Sequence, residues 1–159
     1  MAEFTRYEMY MILNQPKPLW LSHIDLSGMD LRGVDLAHAT LYGANLQGVD
    51  LRGAAMTEAN LGGANLEGAI LIGADLRRAK MRGVNLRNAD LREANLAEAD
   101  LLEANLEGSN LMDANLGGAD LGSVNLTDAN LSGAQVPDYK ILRARSLKGT
   151  IMPDGTVHE

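Results

Sequence analysis

From Leu26 to Leu131 every fifth residue is Leu, with Met56 and Met81 the exceptions, so 20 of 22 such positions are Leu. Two places earlier in each unit, from Ile24 to Ala134, stand 16 Ala, four Val, Ile24, Met29 and Ser109. The residue between them is Asp or Asn in 18 of 22 units. The unit reads Ala-Asp/Asn-Leu-x-x and runs without a break from about residue 24 to residue 138. A period of five fits neither the 3.6 of a helix nor the alternation of a long strand. Two apolar residues spaced by two do fit a very short strand that turns one small and one large group inward. The remaining residues must turn the chain, and the last position of the unit is Gly in 12 of 23 cases, as a corner with positive φ favours. Each pentapeptide is therefore one side and one corner.

This motif resembles that of the pentapeptide-repeat family over about 115 of the 159 residues. The resemblance implies an all-β fold, a right-handed quadrilateral β-helix in which four units make one coil and the Leu and Ala point inward. With 23 units the chain would make nearly six coils, a rod about 28 Å long at roughly 4.8 Å per stacked strand. A left-handed hexapeptide helix needs a period of six, which is absent. A square interior admits four Leu in one layer only if the next inward layer is small, which explains the Ala column.

The ends are read as caps against end-to-end association. Residues 1–18 are assigned to an N-terminal capping helix and linker, with Phe4, Tyr7 and Met11 on one helical face and Asn14 to Pro18 as the stop. Residues 19–138 form the β-helix, Leu19 and Leu21 already being in register, and residues 139–159 form a C-terminal cap and tail. In that tail Pro153-Asp154-Gly155 lies between short β-prone runs, which predicts a hairpin. It is similar to tails that follow such β-helices in photosynthetic bacteria.

Composition fits this reading: aromatic residues are only 4 % of the chain and there is no Cys, which excludes disulfides and thiolate metal sites. No signal-peptide core or stretch of eighteen apolar residues occurs, so a soluble cytoplasmic protein without membrane contact is expected. The formal charge of -7 is uneven: residues 1–92 net zero, residues 93–139 hold nine acids and no Lys or Arg, and residues 140–159 hold four basic and two acidic residues. Without a broad basic excess, direct nucleic-acid binding is not expected.

Chemistry is scarce. The inward positions are apolar, and His23, His38 and His158 fall on different sides or in the tail. The pairs Gly62-Gly63 and Gly117-Gly118 are repeat corners rather than a phosphate loop. Asn45, Asn65, Asn85, Asn105 and Asn125, spaced by 20, should form a ladder of structural amides. Arg77, Arg78, Lys80, Arg82, Arg87 and Arg92 should form a basic belt around all four sides. Glu58, Glu67, Glu98, Asp100, Glu103 and Glu107, one coil away, are its expected partners. Ile70 and Ile72 flank Leu71 in outward positions that are usually polar, as do Leu102 and Met112. On the 20-residue register Ile72 and Met112 share a side with Arg92 between them.

Ile70, Ile72, Arg92 and Met112 are thus the candidate partner surface of a non-enzymatic protein-binding scaffold or regulatory adaptor, without cofactor or metal, monomeric or dimerised end to end. Family resemblance also offers a DNA-mimicking inhibitor of a type II topoisomerase such as DNA gyrase, since the segment from Glu93 to Asp138 is acidic. The basic belt and the absence of aromatic residues at the central position speak against it. A structural or stress-related role is a third reading.

Overall fold

The computed structural model describes residues 6–159. The expected helix residues before Arg6, Phe4 among them, lie outside the described residues, as does the side chain of Tyr7. From Trp20 onward the backbone coils so that residues 20 apart pair in parallel. Each coil contributes one paired residue to each of four sides. The first side stacks Trp20, Thr40, Asn60, Lys80, Asp100 and Asp120; the second begins at Asp25, the third at Asp30 and the fourth at Asp35.

One unit shows why five residues suffice. In 84–88, the Val84 N–H donates to the Met81 carbonyl at 3.1 Å and closes the preceding corner, while the Asn85 N–H reaches Ala64 O in the coil before at 3.0 Å. The N–H groups of Leu86 and Asn88 reach Asn105 O and Glu107 O in the coil after at 2.7 and 2.9 Å. The remaining donor, Arg87 N–H, points away from both coils and is taken by Asn85 Oδ1 at 3.3 Å. All 18 Asp and Asn at this position accept the N–H two residues on. The Asp/Asn signature therefore satisfies a donor the ladder cannot reach. Thr40, Ala55, Ile70 and Lys80 are the departures from it.

The last residue of each corner has φ near +60°, for example 64° at Gly83 and 58° at Glu93, which a turn with positive φ at its third residue requires. Eleven repeat corners hold a side chain in this conformation. Five of the acids of the charged half, Glu93, Glu98, Glu103, Asp113 and Asp128, stand on such corners.

The Leu or Met column from Leu36 to Leu131 is buried throughout, as is the Ala/Val/Ser column from Ala39 to Ala134. Burial of each Leu contributes roughly 1.5 to 3 kcal/mol before chain entropy. Ser109 keeps its hydroxyl satisfied on Leu106 O at 2.7 Å. The larger residues Ile24, Met29 and Val34 occupy the small-residue position of the first coil, where they are partly buried against the core. With no coil beneath them they have the room that later positions lack.

Helix α1 spans Arg6–Leu13 and differs from expectation in the face it buries. Met9 is buried, with Ile12 and Leu13 packed against the core, whereas Met11 is 48 % exposed. The spacing i, i+3, i+4 from Met9 defines the inward stripe. Leu19 and Leu21 are buried and Trp20 pairs with Thr40, so the repeat begins there.

At the other end the pairing continues beyond residue 138. Helix α2, Asp138–Ile141, replaces the paired segment that would cover the end of the first side, and places Ile141 in the Leu column, fully buried. It adds one residue, so Asn125 pairs with Ser146 and Asn130 with Ile151 at a spacing of 21. The hairpin forms: Ile151 pairs antiparallel with Val157, and the Met152 N–H donates to Thr156 O at 2.7 Å. No helix among the described residues is long and apolar enough to cross a membrane.

Candidate protein-binding surface

The third side carries three of the four apolar departures; the fourth, Leu102, stands on the first side beside Asp100 and lies over Gly122. The outward pairs of the third side, coil by coil, are Asp30 and Arg32, Asp50 and Arg52, Ile70 and Ile72, Asp90 and Arg92, and Asn110 and Met112. In three of them the Arg folds back on the Asp of its own unit, with Nη2 to Oδ2 distances of 2.7 Å for Arg32, 2.5 Å for Arg52 and 2.7 Å for Arg92. Ile70 and Ile72 interrupt this series. They remove the side-chain acceptor, and the Ile72 N–H has no hydrogen-bond partner among the described residues. Both are partly buried, and Met112 is 37 % exposed. Ile70, Ile72, Arg92 and Met112 do lie together on one side, and Arg92 is held by Asp90.

The six belt cations are distributed over all four sides, but their partners differ from expectation. Arg78 pairs with Glu98 at 2.9 Å and approaches Glu58 at 3.9 Å; Arg82 pairs with Glu103 and Arg87 with Glu107, both at 2.9 Å. These are the expected contacts across coils. Arg77 and Arg92 instead grip Asp75 and Asp90 two residues earlier. An Asp and an Arg on either side of an inward Leu both point outward, so the Asp-Leu-Arg tripeptides were the sequence signal for these couples. Lys80 makes no ion pair among the described residues.

The couples set a pH response. Hydrogen bonding to Arg52, Arg77 and Arg92 holds the carboxyls of Asp50, Asp75 and Asp90 below the usual carboxylate range. A carboxyl whose folded pKa lies below its unfolded value stabilises the fold above the unfolded value, and that contribution disappears as pH falls through the folded one. The melting temperature is expected to fall progressively below about pH 4, with no change from these groups between neutral and mildly acidic pH. A thermal denaturation series across that range checks this, and the fall should shrink when Arg52, Arg77 and Arg92 are all replaced by Gln.

The histidines do not converge: His38 Nδ1 is 3.4 Å from Glu58 Oε2, and His23 meets Tyr42 edge to face at 5.7 Å. No group of three or more His, Cys, Asp or Glu among the described residues is arranged to hold a metal ion. The amide ladder on the second side forms in part, with Asn85 Nδ2 donating to Asn65 Oδ1 at 2.9 Å and Asn125 Nδ2 to Asn105 Oδ1 at 3.1 Å. Two aromatics that the sequence reading did not single out, Trp20 and Tyr42, stand on the first side at 77 % and 51 % exposure. Their numbers, 0 and 2 modulo 20, were the available signal.

The family model of pentapeptide repeats matches in eight copies over residues 21–57, 51–88, 89–128 and 113–136. Among solved structures the chain is similar to HetL, a pentapeptide repeat protein involved in heterocyst differentiation regulation from the cyanobacterium Nostoc sp. strain PCC 7120. Identity there is 34 %, coverage 87 % of this chain and 76 % of that one, and the TM-score 0.52. A pentapeptide repeat protein of the Arabidopsis thaliana thylakoid lumen is 33 % identical over 73 % of this chain and 74 % of that one, with a TM-score of 0.27. QnrB1, a plasmid-mediated fluoroquinolone resistance protein, is 20 % identical over 85 % of this chain and 80 % of that one, with a TM-score of 0.38. No curated protein matches the chain.

Proposed function

The chain belongs to the pentapeptide-repeat family, whose fold is a right-handed β-helix, and from that premise we propose that it is a non-catalytic regulatory scaffold that binds a protein partner on its third side. We read the rod as nearly six coils closed by α1 at one end and by α2 with the hairpin at the other, which leaves the flat sides for binding. The observation that carries the proposal is the replacement of an Asp–Arg couple by Ile70 and Ile72, one coil from Arg92 and two from Met112. Local rules favour a polar pair there, so the apolar pair serves something other than the coil. Interfaces draw on buried apolar and Arg anchors. Similarity to HetL, which is involved in regulating heterocyst differentiation, supports a regulatory setting.

The test begins with proteins captured from the source organism by the immobilised chain. Changing Ile72→Ser and Met112→Ser together should leave melting within about 1 kcal/mol of the parent and weaken the specific partner by roughly 1 to 3 kcal/mol. Thr57→Ala, at the equivalent place on the fourth side, is the control and should change neither. Equal loss in both variants places the functional surface elsewhere. Inhibition of DNA supercoiling by low micromolar protein would replace this reading with the topoisomerase-inhibitor one.

A further inference from the structure

We propose that the first side is a second docking surface, for a linear peptide segment that carries an apolar residue and, about four residues further on, a carboxylate. It is separate from the third side, so the molecule would hold two ligands at once, as an adaptor must.

The repeat contains two aromatic residues, Trp20 and Tyr42, and both project from this side. Tyr42 is seated rather than free. It lies against Gly62, where a Cβ would stand 3.2 Å from its Cδ2, and His23 braces it edge to face. His23 in turn lies over Gly43, where a Cβ would stand 2.6 Å from Nδ1. Two glycines thus make room for two rings one coil below, and a ring already held in place loses little freedom on binding. Beside Trp20 a cleft of about 180 Å³, lined by Ile12, Pro16 and Pro18 among others, has room for one aliphatic side chain.

The charge pattern of the same side chooses the rest of the ligand. Beyond the aromatics the surface is uncharged at Thr40, Asn60 and Gly62, and then presents Lys80 beside Arg82, which Glu103 holds at 2.9 Å. Lys80 is exposed, and it differs from all five arginines of the belt in having no carboxylate partner among the described residues. Asp100 and Asp120 follow and would repel an anion placed further along. Lys80 is three coils from Trp20, about 14 Å at roughly 4.8 Å per coil. An extended peptide covers that distance in about four residues.

The experiment pans a phage-displayed library of random twelve-residue peptides on the immobilised full chain, then measures synthetic copies of the enriched peptides by calorimetry. Trp20 is the only Trp of the chain, so its emission reports binding to the parent protein directly. Enriched sequences are expected to share an apolar residue followed about four residues on by Asp or Glu, and to shift that emission. Affinity should fall about tenfold or more with Trp20→Ala and with Lys80→Glu, and stay unchanged with Ile72→Ser and Met112→Ser. If Trp20→Ala lowers the melting temperature, the decision passes to Lys80→Glu, a change at an exposed side chain. Failure to enrich such sequences, undiminished binding to Lys80→Glu, or an unshifted Trp emission overturns the proposal. So does a dimer in sedimentation that Trp20→Ala dissolves, which would give this face to a second copy of the chain.

Discussion

Replacing Leu86 by Asp is expected to abolish cooperative melting of the central coils. Leu86 is fully buried on the second side, beneath Asn85, with its N–H bonded to Asn105 O. Leu66 and Leu106 lie above and below it in the column, both buried. An Asp there loses the apolar burial, leaves a void, and places a carboxyl where neither water nor a donor reaches it. The first two effects together cost about 3 to 5 kcal/mol, and the stranded polar group adds at least about 2 more. The sum is comparable with the whole stability of an ordinary domain. Because coils touch only their neighbours, the damage should spread outward from the substituted coil. Circular dichroism should show loss of the main thermal transition, and limited proteolysis should cut first within about one coil of residue 86. A soluble protein with the parent's melting curve would contradict the inward position of the column.

Enlarging the small inward column should also be damaging in the middle of the rod and harmless at its start. Ala74 is fully buried between Ala54 and Ala94 of the adjacent coils. A Leu there has no open space to enter, and overpacking of this kind costs about 3 kcal/mol. Val34 holds the corresponding position in the first coil, where it is only partly buried and Ile24 and Met29 are already large. Val34→Leu should change stability by less than about 1 kcal/mol. Chemical denaturation of the two variants beside the parent measures both values. An equal effect at both positions would show that the first coil is as tightly closed as the middle.

The side on which each repeat residue stands was legible from residue number alone, because pairing keeps a spacing of 20 from Trp20 to Gln135. Ile72, Arg92 and Met112 were placed together for that reason. Two features were not legible, and two more had a signal that the periodic pattern overshadowed. The face of α1 depends on how eight residues meet an already formed coil, and the pattern allowed either Met9 or Met11 to point inward. The extra residue at α2 has no periodic signal, since it lies where the motif has already lapsed at Val136 and Pro137. The Asp–Arg couples escaped a search for charges one coil away: two residues along a strand are farther apart than two adjacent coils, but they share one outward face and the long Arg folds back onto the Asp. The paired aromatics escaped notice because scarcity in composition says nothing about clustering in space.

Four units per turn make the surface of this protein a matter of counting. Loss of all twenty residues of one coil would shorten the rod and leave every later residue on its former side. Loss of a single pentapeptide between Gly73 and Leu111 would satisfy the same hydrogen bonds and the same Leu column, yet turn everything downstream by a quarter. Met112 would then stand with Asn85 and Arg87 on the second side, and Ile70 and Ile72 would face out without it. Insertions and deletions in multiples of five are therefore neutral for folding, but only multiples of twenty are neutral for recognition.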